Sequence, residues 1–254
     1  MSEHVKVSRD GAVNVVRMHR LEKKNALTRA MYAAMAEAIR SADADDAVRV
    51  HLLLGSEGVF SAGNDLGDFM TIAMGGEHGG EVFEFMDVMI RARKPVVSGV
   101  DGIAVGIGTT IHFNCDLTIA TARSSFSTPF LDLGLTPEFA SSGMAPTVMG
   151  HQRAFALLAL GDSLNGEEAR DAGLVWKIVE PENMESEAMS TAKRLAQKPP
   201  EALAIARDLL MGDRDARLAL CKKEGELFGE RLKSDEARQA FQSFMSRKVS
   251  KASA

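Results

Sequence analysis

Residues 95–110, PVVSGVDGIAVGIGTT, decide the fold. Pro95–Val100 is a short apolar run rich in valine, the pattern of a strand buried on both faces. Gly102, Gly106 and Gly108 lie between that strand and a short helix. Free N–H groups at a helix start carry roughly half a positive charge and suit an anion. A dinucleotide phosphate loop is one way to use them. The spacing here is G-x-x-x-G-x-G rather than G-x-G-x-x-G, and no P-loop Lys-Ser/Thr follows, which argues against it. The other use is an oxyanion hole. Close helix–strand packing also needs glycines here and is compatible with either.

Working outward, Val13–Met18 predicts a strand, and Thr28 can cap a helix with Met31, Met35, Ile39 and Ala42 on one face. Val48–Leu54 predicts a second strand bounded by Gly55, followed by the glycine-studded loop GSEGVFSAGNDLGDF. Its FSAGNDL segment, Phe60–Leu66, reads as a tight turn with Asp65 as a local cap. MGGEHGG, Met74–Gly80, has four glycines in seven residues, so it fixes little backbone and is expected to move. Glu81–Arg93 returns to helical spacing through Val82, Phe85, Met86 and Met89. Downstream, Asp116–Ala120 and Ser125–Thr128 predict strands. From Ser141 the chain reads as mostly helical, interrupted by Leu174–Val179, and ends in long helices. Strands alternating with helices argue for an α/β fold, with the helical tail a separate layer or subunit contact.

The totals exclude several classes. With 254 residues, 45% hydrophobic and 26% charged, the chain can bury a sizeable core as one large domain or two small ones. The net charge is -5 and there is no run of five basic residues, so no nucleic-acid partner is implied. Cys115 and Cys221 are the only cysteines, which points to a reducing compartment rather than a disulfide framework. MSEHVKVSRDG lacks the apolar stretch of a signal peptide, and no apolar run approaches the roughly 18 residues of a membrane span. The chain ends SKASA without the peroxisomal S-K-L address. A cytoplasmic protein with no membrane partner is expected. Six histidines without ligand spacing predict no metal site, and no G-x-S-x-G supports a serine hydrolase.

One carboxylate stands out. LGLTPEFASSG, Leu133–Gly143, sets Glu138 behind a proline and ahead of small residues. It is either a helix-start charge on a loop or a catalytic acid/base. Two glycine turns, each after a strand, could aim two N–H groups at one oxygen. That is what a developing thioester enolate needs, and one lost donor typically costs ~2.7–4 kcal/mol of barrier.

Taken in order, GSEGVFSAGNDL, PVVSGVDGIAVGIGTT and NCDLTIATARSSFSTPFLDLGLTPEFASSG resemble the crotonase (enoyl-CoA hydratase/isomerase) superfamily. HQRAFALLALGDSLNGEEARDAGLVWKIV resembles that family's next segment, so the likeness runs from about Val13 to the final helix. It implies an α/β, crotonase-like ββα spiral with a helical C-terminal region. Residues 1–195 would be the spiral core with an acyl-CoA site, and residues 196–254 a helical oligomerisation region. It further implies a homotrimer or dimer of trimers and an acyl-CoA substrate. Coenzyme A arrives on the substrate, so no bound cofactor is expected.

Carried over residue by residue, the resemblance makes the backbone N–H of Asn64 the first oxyanion donor and that of Ile107 the second. Both depart from the family's commoner alanine and glycine, although a backbone donor needs no particular side chain. RLEKKNAL, Arg20–Leu27, resembles the segment bordering the CoA nucleotide. Lys23 and Lys24 are candidates for its phosphates, with a solvated charge cluster the equal alternative. Ala62 and Asn64 would approach the adenine and pantetheine by backbone contacts. Lys248 is a further candidate from a neighbouring subunit's C-terminus, where the stripe of Phe241, Phe244 and Met245 is best explained by core packing.

The family's hydratases resemble each other in two glutamates, and the corresponding positions here are Thr110 and Phe130. Hydration needs one group to activate water and usually another to deliver a proton, and neither residue can do so. Moving a double bond from C3 to C2 needs only one base. PFLDLGLTPEFASSG resembles the Δ3,Δ2-enoyl-CoA isomerase branch, whose catalytic glutamate corresponds to Glu138. Phe130, Leu135 and Phe139 would form its apolar surroundings and acyl pocket, raising its pKa from about 4.3 toward ~6–7. The MGGEHGG segment and the Met/Phe-rich helix after it would also line that pocket. Enoyl-CoA hydratase is the nearest alternative, and a non-catalytic acyl-CoA-binding protein is the alternative of another class. Asp65 and Asp132 are expected to shape turns, and His51 and His112 to be packed.

Overall fold

The structure is a computed structural model describing residues 2–68 and 80–252, with side chains as far as Ser243. Residues 74–79 of the glycine-rich MGGEHGG segment lie outside the described residues. The chain begins with β1 (Val5–Asp10) and β2 (Val13–Met18), an antiparallel pair. β1 escapes sequence reading because only Val5 is buried along it, so no alternation marks it. Thr28 caps α1 (Arg29–Ala44), its side chain accepting from Met31 N at 3.3 Å, and Met31, Met35 and Ile39 are buried as the spacing predicts.

The next segments repeat one pattern. β3 (Val50–Leu54), β4 (Val59–Ser61) and α2 (Gly80–Arg91) form the first turn. β5 (Val96–Val100), β6 (Ile103–Val105) and α3 (Ile107–Thr110) form the second. β7 (Leu117–Thr121) and β8 (Ser125–Ser127) begin the third. β3, β5 and β7 are parallel neighbours in a six-stranded sheet of order β1-β2-β3-β5-β7-β10, and β4, β6 and β8 are neighbours in a four-stranded sheet closed by β9. Each repeat therefore advances one strand position in both sheets, which is a ββα spiral.

The remaining elements are α4 (Ser141–Met149), α5 (His151–Phe155), β9 (Leu164–Asn165), α6 (Gly166–Asp171), β10 (Lys177–Val179) and α7 (Met184–Ala196). α8 (Pro200–Met211), α9 (Arg214–Leu232) and α10 (Asp235–Ala252) complete the helical C-terminal region. The break expected over Leu174–Val179 holds a strand only from Lys177, because Leu174 and Val175 donate back to Ala169 O in α6. The strand expected from Val48 begins at Val50, since Val48 N is held in a turn by Asp45 O. β4 and β6 have three residues each, too few for alternation to show, and read as glycine loops, while the two-residue β9 falls in the stretch read as helical.

Alternation within the larger sheet feeds two cores. Val16, Met18 and Leu53 face the main core with α1 and α2, whereas Val13, Val15, Leu52 and Leu54 face α7 through Met184, Ala188 and Ala192. The corners of successive turns are bolted together. A Cβ on Gly102 (φ +78°) would lie 1.8 Å from Gly58 O, so only glycine admits this approach. The adjacent Asp101 is buried and accepts from Gly58 N at 2.8 Å, Thr121 Oγ1 at 2.9 Å and the Arg123 guanidinium. The Arg123 contact holds the Asp101 carboxyl below the usual range. One carboxylate thus ties the corners of all three turns.

Candidate active site

The two glycine turns after β4 and β6 meet. Gly63 (φ +86°) sits so close to the second turn that an added Cβ would fall 2.8 Å from Val105 O and 4.0 Å from Gly106 Cα. Leu27 N donates to Gly63 O and Asp65 N to Leu27 O, at 2.8 and 2.9 Å. The N–H of Asn64, between them, points the other way. Ile107 opens α3, where a first-turn N–H has no acceptor within its helix. Ile107 itself is buried and its neighbour Gly106 forms the surface.

That surface belongs to a cleft of about 830 Å³. Arg20, Lys23 and Lys24 stand at one part of its wall, with Ala62, Gly63, Asn64 and Gly106 along it, and Phe130, Leu135, Glu138 and Phe228 among the rest. Of the sequence candidates, Phe139 does not reach this wall. It is fully buried behind Glu138, its ring 6.1 Å from that of Phe85. The side chain of Lys248 lies beyond the described ones. The helix after the glycine-rich segment, expected at the acyl pocket, turns Phe85, Met86 and Met89 into the core instead, because its apolar face packs on α1.

Glu138 follows the 3-10 turn Leu131–Leu133 and is 5% exposed. Its Oε1 is buried with no hydrogen-bond partner among the described residues. The Asn64 amide lies beside this carboxylate and favours its ionised form. Tyr32 Oη donates to Asn64 Oδ1 at 2.5 Å, which turns the amide NH₂ toward Glu138. Burial raises the Glu138 pKa to about 8, the Glu224 charge adds to the rise, and the Asn64 amide opposes it. This exceeds the rise expected from the sequence; burial is its larger cause and the Glu224 charge, which nothing in the sequence signals, adds to it.

Glu224 is a buried residue of α9 whose carboxylate accepts from Ala140 N at 2.5 Å and Ser142 N at 2.9 Å. Burial raises its pKa and those N–H groups restrain the rise. In sequence it sits in CKKEGEL, indistinguishable from a solvated helix face, so nothing signals it. Phe228, one turn further along α9, meets Phe130 edge-on at 6.4 Å and was equally hidden. Tyr32 read only as part of the helix.

The other carboxylates and histidines do structural work. Asp65 accepts from Arg20 Nη1 at 2.7 Å and Gly67 N at 2.9 Å, and these bonds outweigh its burial to lower its pKa. Asp132 lies in the Leu131–Leu133 turn. His112 is buried beside the rings of Phe60 and Phe126, shares a 3.0 Å hydrogen bond with Ser98 Oγ, and is pushed down by burial to about 3. His51 shares a 3.1 Å bond with Asn14 inside the sheet. Thr110 is fully buried, and no described carboxylate occupies its place or that of Phe130. Among the described residues no group of three His, Cys, Asp or Glu side chains could hold a metal ion.

The family described as "Enoyl-CoA hydratase/isomerase" matches residues 8–251. Enoyl-CoA delta isomerase 2 of Rattus norvegicus is 32% identical over 97% of this chain, and the Homo sapiens protein of that name 33% over 96%. The matches span 64% and 63% of those two relatives' own lengths. The structure of Pseudomonas aeruginosa OdaA aligns with a TM-score of 0.92 at 38% identity, covering 96% of this chain and 99% of that one. A family match across nearly every residue, carried on the same spiral backbone as a solved relative, leads to one conclusion: the chain belongs to the enoyl-CoA hydratase/isomerase family and has the crotonase fold.

Proposed function

We propose that the protein is a Δ3,Δ2-enoyl-CoA isomerase that converts a 3-enoyl-CoA to the 2-trans-enoyl-CoA with Glu138 as the only acid/base. The observation that carries this is a buried glutamate beside the Asn64 amide, in a cleft where the hydratase positions are Thr110 and Phe130. The thioester oxygen would accept from the backbone N–H groups of Asn64 and Ile107. Ionised Glu138 takes a proton from C2, and the C–H electron pair moves into the C1–C2 bond while the carbonyl pair moves onto oxygen. The two donors hold that dienolate oxygen, each at ~2.7–4 kcal/mol. Protonated Glu138 then returns the proton to C4, C3=C4 becomes C2=C3, and the carbonyl reforms. The step has no net change in protons or electrons.

A base with its pKa near 8 is a stronger acceptor for a weakly acidic C–H than an ordinary carboxylate. Lys23 and Lys24, exposed at the cleft, are positioned for the CoA phosphates, whereas Arg20 is already paired with Asp65. Ala62 and Asn64 border the path of the pantetheine, and Phe130, Leu135 and Phe228 offer an apolar acyl wall. The acyl-CoA brings its own coenzyme A, and a homotrimer or dimer of trimers would let Lys248 reach it from a neighbouring copy.

One panel tests this: 3-enoyl-CoA and 2-enoyl-CoA with wild type and Glu138→Ala. Isomerisation by wild type, reduced roughly 10²–10⁴-fold in the variant, is expected. Hydration of the 2-enoyl substrate without isomerisation would replace the reading with a hydratase. Tight acyl-CoA binding with no turnover of either substrate would make it a binding protein.

A further inference from the structure

We propose that Glu224 is a positioning residue for Glu138, gripping from α9 the left-handed turn that follows it and presenting a fixed charge to its carboxylate. This rests on the reading of Glu138 as the catalytic base.

The turn needs a grip. Phe139 (φ 63°) and Ala140 (φ 59°) are consecutive non-glycine residues in the left-handed region, which L side chains disfavour. Such strain persists only where the surroundings over-determine it. Here one peptide unit is held from both sides: Asn114 Nδ2 donates to Phe139 O at 3.1 Å, and Ala140 N donates to Glu224 Oε2 at 2.5 Å. Glu224 Oε1 takes Ser142 N at 2.9 Å in the first turn of α4. That helix has Ala140 at its N-cap, which offers no side-chain acceptor, so Glu224 supplies the cap from another helix. Glu138 is the residue immediately before this clamped unit, so its direction into the cleft follows from it.

A neutral acceptor could cap the helix. A carboxylate, almost completely buried, adds a charge that a cap does not require. The groups facing Glu138 from its surroundings are Glu224 and Cys221 on α9 and Tyr32 on α1, with Asp87 near Cys221 and Asp68 near Tyr32. Burial raises the Cys221 thiol to about 12 and the Tyr32 phenol well above its ordinary value, so both are neutral at working pH. Glu224, with two N–H donors favouring its ionised form, is the charge that Glu138 meets. It makes Glu138 hold its proton more tightly and, once ionised, attack C–H more strongly.

Glu224→Gln removes the charge and one N–H acceptor, while Glu224→Asp keeps the charge. The test is the pH profile of kcat/KM for a 3-enoyl-CoA. The acid limb of Glu224→Gln is expected to move down by about half to one pH unit, with kcat reduced, while that of Glu224→Asp stays near wild type. A Glu224→Gln enzyme that folds and keeps the wild-type limb overturns the proposal, since a purely structural role changes only stability or kcat. Should Glu224→Gln not fold, both carboxyls are followed by ¹³C NMR in the wild-type protein. Glu224 is expected to ionise first, below the midpoint of Glu138, and a Glu224 still protonated where Glu138 ionises overturns the proposal. Glu138→Ala separates the two claims. If it retains isomerase activity, the function assigned above fails. If it is inactive while the Glu224→Gln limb stands still, only the role of Glu224 fails.

Discussion

At the scale of residues, the site is a balance of opposed influences on one carboxylate. Burial and Glu224 raise its pKa, and the Asn64 amide lowers it. Because the base works ionised, kcat/KM of the free enzyme is expected to climb with pH through about 8, as a pH–rate profile would show. Asn64→Ala keeps the backbone donor and deletes the amide, so its acid limb should shift to higher pH, opposite to Glu224→Gln. A shift in the same direction as Glu224→Gln would contradict the opposing influence of the amide. The raised pKa also has a stability consequence. Between the unfolded value near 4.3 and the folded value the native state binds the extra proton, so this contribution to stability is full below that window and declines as pH rises through it. Glu138→Gln should therefore melt higher than wild type at pH 8 and nearly the same at pH 4, by roughly 2–4 °C for each kcal/mol recovered. Glu138 was legible in sequence because a proline and small residues isolate it. Glu224 and Tyr32 were not, because their roles come from contacts 84 and 32 positions away along the chain, with Ala140 and Asn64 respectively.

At the scale of elements, legibility followed length. β2, β3, β5 and β7 and helix α1 carry enough residues for their periods to show, and they were found with ends displaced by no more than two residues. The second strands of the first two repeats have three residues and looked like loop, and only β8 was found, so the sequence alone showed alternation but not two sheets. Resemblance to a family supplied the spiral that periodicity could not. What holds those short strands is the corner network around Asp101, and its removal is a direct check. Asp101→Ala takes the acceptor from Gly58 N–H and the ion-pair partner from Arg123 and leaves Thr121 Oγ1 only Ser124 Oγ at 3.1 Å, at a cost of about 1–3 kcal/mol. Urea denaturation should show an unfolding free energy lower by that order, and a value within about 0.5 kcal/mol of wild type (the scatter of surface substitutions) would mean that the corners are held by packing alone. The same carboxyl titrates below the ordinary range, so its contribution is present above the unfolded pKa and disappears as pH falls through the folded one.

At the scale of the whole molecule, α8 is inside out. Its buried residue is Arg207, 3% exposed, whose guanidinium donates to Asp116 Oδ1 and Oδ2 at 2.9 Å and also reaches Ala92 O. Ile205, Leu209 and Leu210 face outward at 62, 79 and 87% exposure. A helix that turns its cation inward and its leucines outward is stable in water only if something covers it. The assembly proposed here, a homotrimer or dimer of trimers, offers a second copy of the chain as the cover. Light scattering should then give three or six times 27.3 kDa for the wild type. The double substitution Leu209→Glu, Leu210→Glu, placed on the exposed side away from the Arg207 pairing, should yield a folded smaller species. If the CoA nucleotide is completed by Lys248 from a neighbouring copy, that species should show a raised KM for acyl-CoA with its Glu138 pH limb unmoved, because the base and its clamp lie within one chain. A variant that stays trimeric puts the contact elsewhere, and a monomeric wild type removes both the assembly and the shared lysine together.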